Sequence, residues 1–465
     1  MCSLKQFTVL ALISLLVIPT MAQFGRNRKP QPTSTENTGH PQLQAGPMIG
    51  YVEMREVQLW VQTKGPANVY FEYYDVKKPS TVYKTRDVRT IADRAFVAKV
   101  LADKVVPDRE YEYRVVINQQ QVKLPYSTRF RTRANWRYRT SPPTLRIALG
   151  STNFVNDGSV DLRGNRKYGA GYEIYQSILA QKPDMMLWLG DNVFYREADW
   201  YTQTGRFYRY TFARKIPELQ ALLAGTSHYA IWDDHDFGPG NSDGTFRDKE
   251  ESLETFKLFW GNPTYGVPGI DGISTTFERS DVQFFLLDNR YNRTPENTRS
   301  QAPVVLGKEQ VDWLISALLS SQATFKFVCL GNPFLNADRQ FSHHINIAPN
   351  EREYLLEAIA REQIKNVVFL TGDRQHTELS YMNRGGIDIY DFTVSPLTAQ
   401  PYDAEQEPNP LRVRDTKTIY NQTQFGQRNF GVLEVYGNNK NRKLKLAVFD
   451  QNGTQVWERL IIPQK

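Results

Sequence analysis

Between about Gly46 and Trp136 the chain alternates apolar and polar side chains in short runs, "EVQLWVQTK", "NVYFEYYDV", "AFVAKVLAD" and "YEYRVVINQ", parted by turn-rich pieces. Alternation with period two predicts strands with one buried face, and runs at this spacing predict a small all-β sandwich. "SPPT", Ser141 to Thr144, closes it, because consecutive prolines cannot continue a β-ladder. From Thr144 onward strand and helix signals alternate. "LRIALGS", "DMMLWLGD" and "HYAIWDDHD" read as strands, and "GYEIYQSILAQ" and "IPELQALLAG" as helices. The helix opening at Lys308 places Val311, Leu314, Ile315, Leu318 and Leu319 on one stripe. In "NEREYLLEAIA" Asn350 is the expected cap, answered by Glu353 three residues on. "FFLLD", "FKFVCLG" and "VVFLTGD" are apolar strands, and "FGVLEVYG", "KLKLAVFD" and "VWERLII" are hairpin-like strands that complete or flank a sheet. The pattern predicts an α/β layered domain over residues 144–465 behind an all-β domain over 46–136.

Ahead of both, one basic residue, Lys5, precedes the apolar run Phe7 to Ile18, and "PTMA" supplies small residues before Gln23. This predicts a secretory signal peptide over residues 1–22, too short in its apolar part to span a membrane, and a secreted, periplasmic or cell-surface protein with no later spanning segment. Residues 23–45 read as a Pro, Gln and Ser/Thr-rich disordered leader. Of the two cysteines Cys2 leaves with the signal, so no disulfide framework exists and Cys329, inside an apolar strand, reads as a buried small hydrophobe. The formal charge of +7 falls by the single charge of Lys5 to +6 on processing. Spread this evenly, it gives no sign of specific nucleic-acid binding and is compatible with anionic substrates.

Several strands of the α/β domain end in polar, mostly acidic clusters: Ser151, Thr152 and Asn153; Asp191, Asn192 and Arg196; Asp233, Asp234, His235 and Asp236; Asp288 and Arg290; Asn332; Asp373 and His376. One such cluster serves a turn or caps a helix, but in open α/β sheets the ligand site lies beyond the carboxyl ends of the strands, where these converge. Packed carboxylates repel one another unless a cation sits among them. The expectation is one or more metal ions, with Asp191, Asp234 and Asp373 as first choices and Asp233 and His376 beside them. His235 could then stabilise the transition state or the leaving oxygen, while Asn153, Arg196, Arg290 and Arg374 could hold a phosphate.

With "LGDN", "WDDHD", "LDNRYNR", "GNPFLN" and "TGDRQH" in this order, the chain resembles the PhoD-like alkaline phosphatases of the metallophosphoesterase superfamily, including their N-terminal fibronectin III-like or immunoglobulin-like domain. The resemblance implies a secreted phosphomonoester or phosphodiester hydrolase with an iron and calcium core, built as a β-sandwich flanked by helices. The chain departs from that pattern at three positions. Where the family has an iron-ligating Cys, "GSTNF" has Thr152; where it has a Tyr three residues after the bridging Asp, there is Phe194; where it has a His two residues after the last Asp, there is Gln375.

Thiolate and phenolate are the anionic ligands that favour trivalent iron, and neither Thr nor Phe replaces their charge. Calcium or magnesium suits the oxygen donors that remain, and iron does not. Two functions stay open, a former enzyme whose fold serves binding and a phosphoesterase with a rebuilt oxygen-rich site. A surface adhesion module led by the sandwich is a third. The expected partner is a phosphorylated small molecule or a cell-surface component. "FSHHINIAP" reads as a loop with exposed His343 and His344, and "FGPGNSDGTF" as a flexible Gly-rich rim.

Overall fold

The apolar strands read from the sequence form two sheets packed face to face. One has the strand order Gln455–Ile461, Lys443–Asp450, Asn429–Tyr436, Leu145–Gly150, Met185–Leu189, Ser227–Ile231, Leu43–Val52, Val57–Thr63, Val97–Ala102; the other has Thr275–Arg279, Val282–Leu286, Phe325–Leu330, Val367–Thr371, Ile387–Thr393, Glu378–Arg384. The computed structural model describes residues 39–161, 167–336, 344–402, 409–414 and 423–465; the expected signal peptide, residues 23–38 of the leader and His343 lie outside them. Among the described residues no helix is long and apolar enough to cross a membrane.

The second sheet shows why its strands lack polar alternation. Phe284, Phe327, Cys329 and Leu370 face the first sheet, while Phe285, Val328, Leu330 and Phe369 face the helices Lys308–Ser320 and Pro349–Arg361. Both faces are buried, so an apolar residue is favoured at every position. Cys329 is one of these buried side chains, and burial holds its thiol well above the ordinary range. On the Lys308 helix Val311, Leu314, Ile315 and Leu318 are buried as the stripe predicts, but Leu319 is exposed. Asn350 is not the cap of its helix. The cap position is Ala348, with Pro349 opening the first turn, and Glu353 pairs with Arg384 instead.

The N-terminal strands make a sandwich, yet it is not a separate bead. Leu43–Val52 pairs in parallel with Ser227–Ile231, so three N-terminal strands extend the first sheet of the α/β domain, while Asn68–Asp75 and Glu110–Ile117 form the opposing layer. Trp60 donates to the Leu258 carbonyl at 3.1 Å and Tyr113 to that of Ala224 at 2.7 Å. Residues 39–465 form one compact unit. The leader is accordingly shorter than expected, since Leu43 to Ala45 already belong to a strand.

Candidate metal centre

Every predicted acidic position follows the last residue of a parallel strand, where the chain must turn away from the sheet. Asp191 follows Met185–Leu189 after one glycine, Asp233 and Asp234 follow Ser227–Ile231, and Asp373 follows Val367–Thr371 after Gly372. Asp191, Asp373 and Gln375 take left-handed backbone conformations, φ 52°, 74° and 54°, which turn their side chains back across the strand ends. The two sheets nearly touch here. A Cβ on Gly372 would meet the Leu189 carbonyl oxygen at 2.5 Å, and one on Gly331 would meet Asp233 at 2.8 Å.

Asp191, Asp234 and His235 each bring a ligand atom within 4.8 Å of the others, and Asp191, Asp233 and Asp373 do the same, so Asp191 is common to two triads. Burial and the neighbouring Asp234 and Asp233 push Asp191 well above the carboxylate range, and burial with Asp233 pushes Asp373 up to about 7. Burial opposes ionisation of Asp234 as well, but His235 and Arg290 outweigh it and hold that carboxyl below the usual range. This is the electrostatic signature of carboxylates short of positive charge. A hydrogen-bond deficit agrees with it. Oδ1 of Asp233 is taken by Asn289 at 2.7 Å and Arg290 at 2.6 Å, whereas its buried Oδ2 has no partner among the described residues. A hard divalent cation fits this set of oxygen donors.

The remaining predicted residues divide. His235 lies on the rim, its backbone N–H donating to Asp191 at 3.3 Å. Arg290 is buried with Nη2 at 2.5 Å from Asp233 and 3.7 Å from Asp234, an internal counter-charge to the carboxylates. Arg196 is committed to Asp161 by hydrogen bonds of 2.7 and 2.8 Å and to the carbonyls of Val155 and Phe194. Asn153 donates to the Asn192 carbonyl at 2.9 Å and accepts from Thr398 at 3.0 Å and from Tyr175. Arg374 sits beside Asp373 with its guanidinium 5.9 Å from the Tyr402 ring centre. His376, expected as a ligand, belongs to neither triad. Its Nδ1 is 3.1 Å from the Arg374 carbonyl and its Nε2 is 3.9 Å from Glu378, so it turns under the loop into a buried polar cluster.

Thr152, Phe194 and Gln375 are each engaged elsewhere. The Thr152 hydroxyl is 2.8 Å from that of Ser395, which also accepts from the Gln375 backbone at 2.9 Å, and the Gln375 amide donates to Tyr168 at 2.6 Å. Phe194 packs against His235 and Phe154. Tyr195, next along, points the other way into the core against Tyr210.

Asn289, Ser395 and Tyr168 are the contributors the sequence reading passed over. Asn289 and Ser395 follow strand ends as the acidic residues do, a signal that could have found them; nothing in the local sequence marks Tyr168. His344 corrects another expectation. It is fully buried, 2.8 Å from Glu351 and packed on Phe334. The Gly-rich rim is pinned rather than loose: Asn241 N–H donates to the Asp234 carboxylate at 2.6 Å and Gly244 N–H to the Arg293 carbonyl at 2.8 Å.

Residues 273–446 match the family model of the PhoD-like phosphatases, and residues 40–135 match a domain of unknown function, DUF7800. The solved structure of PhoD superposes with a TM-score of 0.71 over 91% of this chain and 93% of its own, at 17% identity. The chain has the PhoD-like phosphatase fold. A purple acid phosphatase from yellow lupin seeds, PPD1, shares it at a TM-score of 0.64 and 11% identity, over 90% of this chain and 74% of that one. No curated protein matches the chain by sequence. The strand ends that carry Asp288, Asn332 and Asp373 lie within the PhoD-like match; those that carry Asp191 and Asp234 precede it.

Proposed function

We propose that this PhoD-like protein binds phosphoesters at a hard divalent metal centre and turns over phosphomonoesters or diesters weakly or not at all. One observation carries the reading: the three positions where the family pattern has a thiolate, a phenolate and an imidazole hold a Thr hydrogen-bonded to Ser395, a Phe packed on His235 and a Gln bonded to Tyr168. None of the three offers an anionic ligand, so the charge needed to hold trivalent iron is missing. Asp191, Asp233, Asp234 and Asp373 would hold calcium or magnesium, which supplies positive charge to offset the carboxylates and polarises phosphoryl oxygens. Asp191, shared by both triads, would bridge two such positions. His235 faces the open side, where it can donate to a leaving oxygen. Arg290 offsets part of the burial that pushes the Asp233 carboxyl up, and Arg196 braces the loop after Asp191; both spend their hydrogen bonds within the protein. The expected ligand is a phosphorylated small molecule or a phosphorylated cell-surface component, and the signal-peptide pattern supports an exported protein.

The sharing of Asp191 also favours a second reading, an active phosphoesterase on an oxygen-rich calcium or magnesium centre. Metal analysis and a phosphoesterase assay separate the two, on the wild type and on the combined variant Thr152→Cys, Phe194→Tyr, Gln375→His. The expected wild type carries a chelatable divalent ion, no iron and little turnover, while the triple variant gains iron and part of the activity and single reversions gain much less. Brisk hydrolysis by the wild type with calcium or magnesium establishes the second reading; iron with brisk hydrolysis overturns both.

A further inference from the structure

Next to the metal centre, and sharing His235 with it, lies a cavity of about 650 Å³ walled by Phe154, Phe194, Trp200, Val160 and Ala198. Among the described residues the charged pair on its wall, Arg196 and Asp161, is spent, while the buried Trp200 Nε1 has no hydrogen-bond partner. Arg196 is tied to Asp161 and to two carbonyls, and its guanidinium lies 3.8 Å from the centre of the Phe154 ring, so it adds a flat wall to the cavity. Glu197, also on the wall, is exposed to solvent.

We infer that the site selects phosphoesters whose alcohol is an aromatic ring, with the ring seated in this cavity and the phosphoryl group at Asp191, Asp234 and His235. The inference rests on the phosphoester reading above. A ring against Phe194 and Trp200 buries apolar surface and meets aromatic edges and faces. A glycerol or sugar in the same place would lay hydroxyls against the side chains of Phe154, Phe194 and Val160, which offer them no hydrogen bond, and a buried unpaired hydroxyl is unfavourable. The volume accommodates a ring with substituents.

The test is calorimetric titration of the full chain, with calcium, by phenylphosphonate and by methylphosphonate, which share the anionic head and differ in the group that reaches the cavity. Phenylphosphonate is expected to bind at least about tenfold more tightly, the effect of burying one ring. Ala198→Trp, at an exposed position on the wall, is expected to bring the phenyl compound to within about twofold of the methyl compound by filling the cavity, with methylphosphonate unchanged. Trp200→Leu is expected to lower the preference in part. Equal affinities in the wild type, or an Ala198→Trp variant that keeps the preference, overturn the inference and leave the phosphoester reading standing. If neither phosphonate binds in the presence of calcium, the phosphoester reading falls and this inference falls with it.

Discussion

The Phe194 ring lies against the His235 imidazole with centroids 4.2 Å apart and planes 27° from parallel. The residue that occupies a ligand position of the family pattern therefore acts here as a wall that fixes the rim histidine beside Asp191 and Asp234. Phe194→Leu keeps an apolar side chain but removes the flat face. With calcium present, methylphosphonate affinity is expected to fall several-fold, because the imidazole is no longer held where it can donate to a phosphoryl oxygen, while calcium affinity itself stays unchanged. Calorimetric titration measures it, and a thermal melt of the variant checks that the fold is retained. An unchanged methylphosphonate affinity would mean that His235 is positioned by its backbone alone.

Arg290 and a bound cation answer the same deficit of positive charge around Asp233 and Asp234. Arg290→Met leaves a buried carboxylate without its partner, and breaking such a pair costs about 3–5 kcal/mol. In chelator the variant should lose stability on that scale by urea unfolding. Saturating calcium should recover a larger share of the loss than calcium adds to the wild type. Equal calcium effects on both proteins would show that the guanidinium and the ion act on separate carboxylates.

The N-terminal sandwich holds the first sheet together. Trp60 is fully buried in the shared core, near Phe259, and Trp60→Ala is expected to cost about 3–5 kcal/mol. A chain beginning at Thr144 uncovers the edge of Ser227–Ile231 and the apolar surface around Trp260, so it should aggregate on expression, whereas a separately folding module would leave it soluble.

Acid should destabilise the protein through His228, a core residue outside the metal centre. Trp188 Nε1 donates to its Nδ1 at 3.0 Å and its Nε2 faces the Leu222 carbonyl at 3.1 Å, an arrangement for the neutral ring. Burial lowers its pKa from 6.5 to about 3. The folded value lies below the unfolded one, so the stabilising contribution of the neutral ring is complete above pH 6.5 and is lost as pH falls towards 3, at about 1.4 kcal/mol per pH unit. Urea unfolding across this window should show a steeper decline for the wild type than for His228→Gln, which keeps a donor and an acceptor. Parallel declines would remove His228 from the account.

The sequence by itself determined the elements and the kind of chemistry. Apolar runs such as Phe325–Leu330 and Val367–Thr371 are strands because no other short structure buries so many consecutive side chains, and an Asp directly after such a run must stand at the sheet's end. The order of the acidic motifs was therefore enough to bring Asp191, Asp233, Asp234 and Asp373 to one rim. Tertiary structure decided the rest. His376 and Gln375 are neighbours in the chain, yet one turns under the loop towards Glu378 and the other reaches Tyr168, and a left-handed backbone at Gln375 fixes which goes where. Arg290 and Arg196 look alike as candidate phosphate ligands; whether an arginine is spent internally depends on carboxylates that the fold delivers from 57 and 35 residues away. The joining of the sandwich to the larger domain was equally hidden. The parallel pairing between Leu43–Val52 and Ser227–Ile231 sets Ile49 beside Ser227, 178 residues away (227 − 49), and period-two alternation specifies which face of a strand is buried without specifying which strand lies beside it.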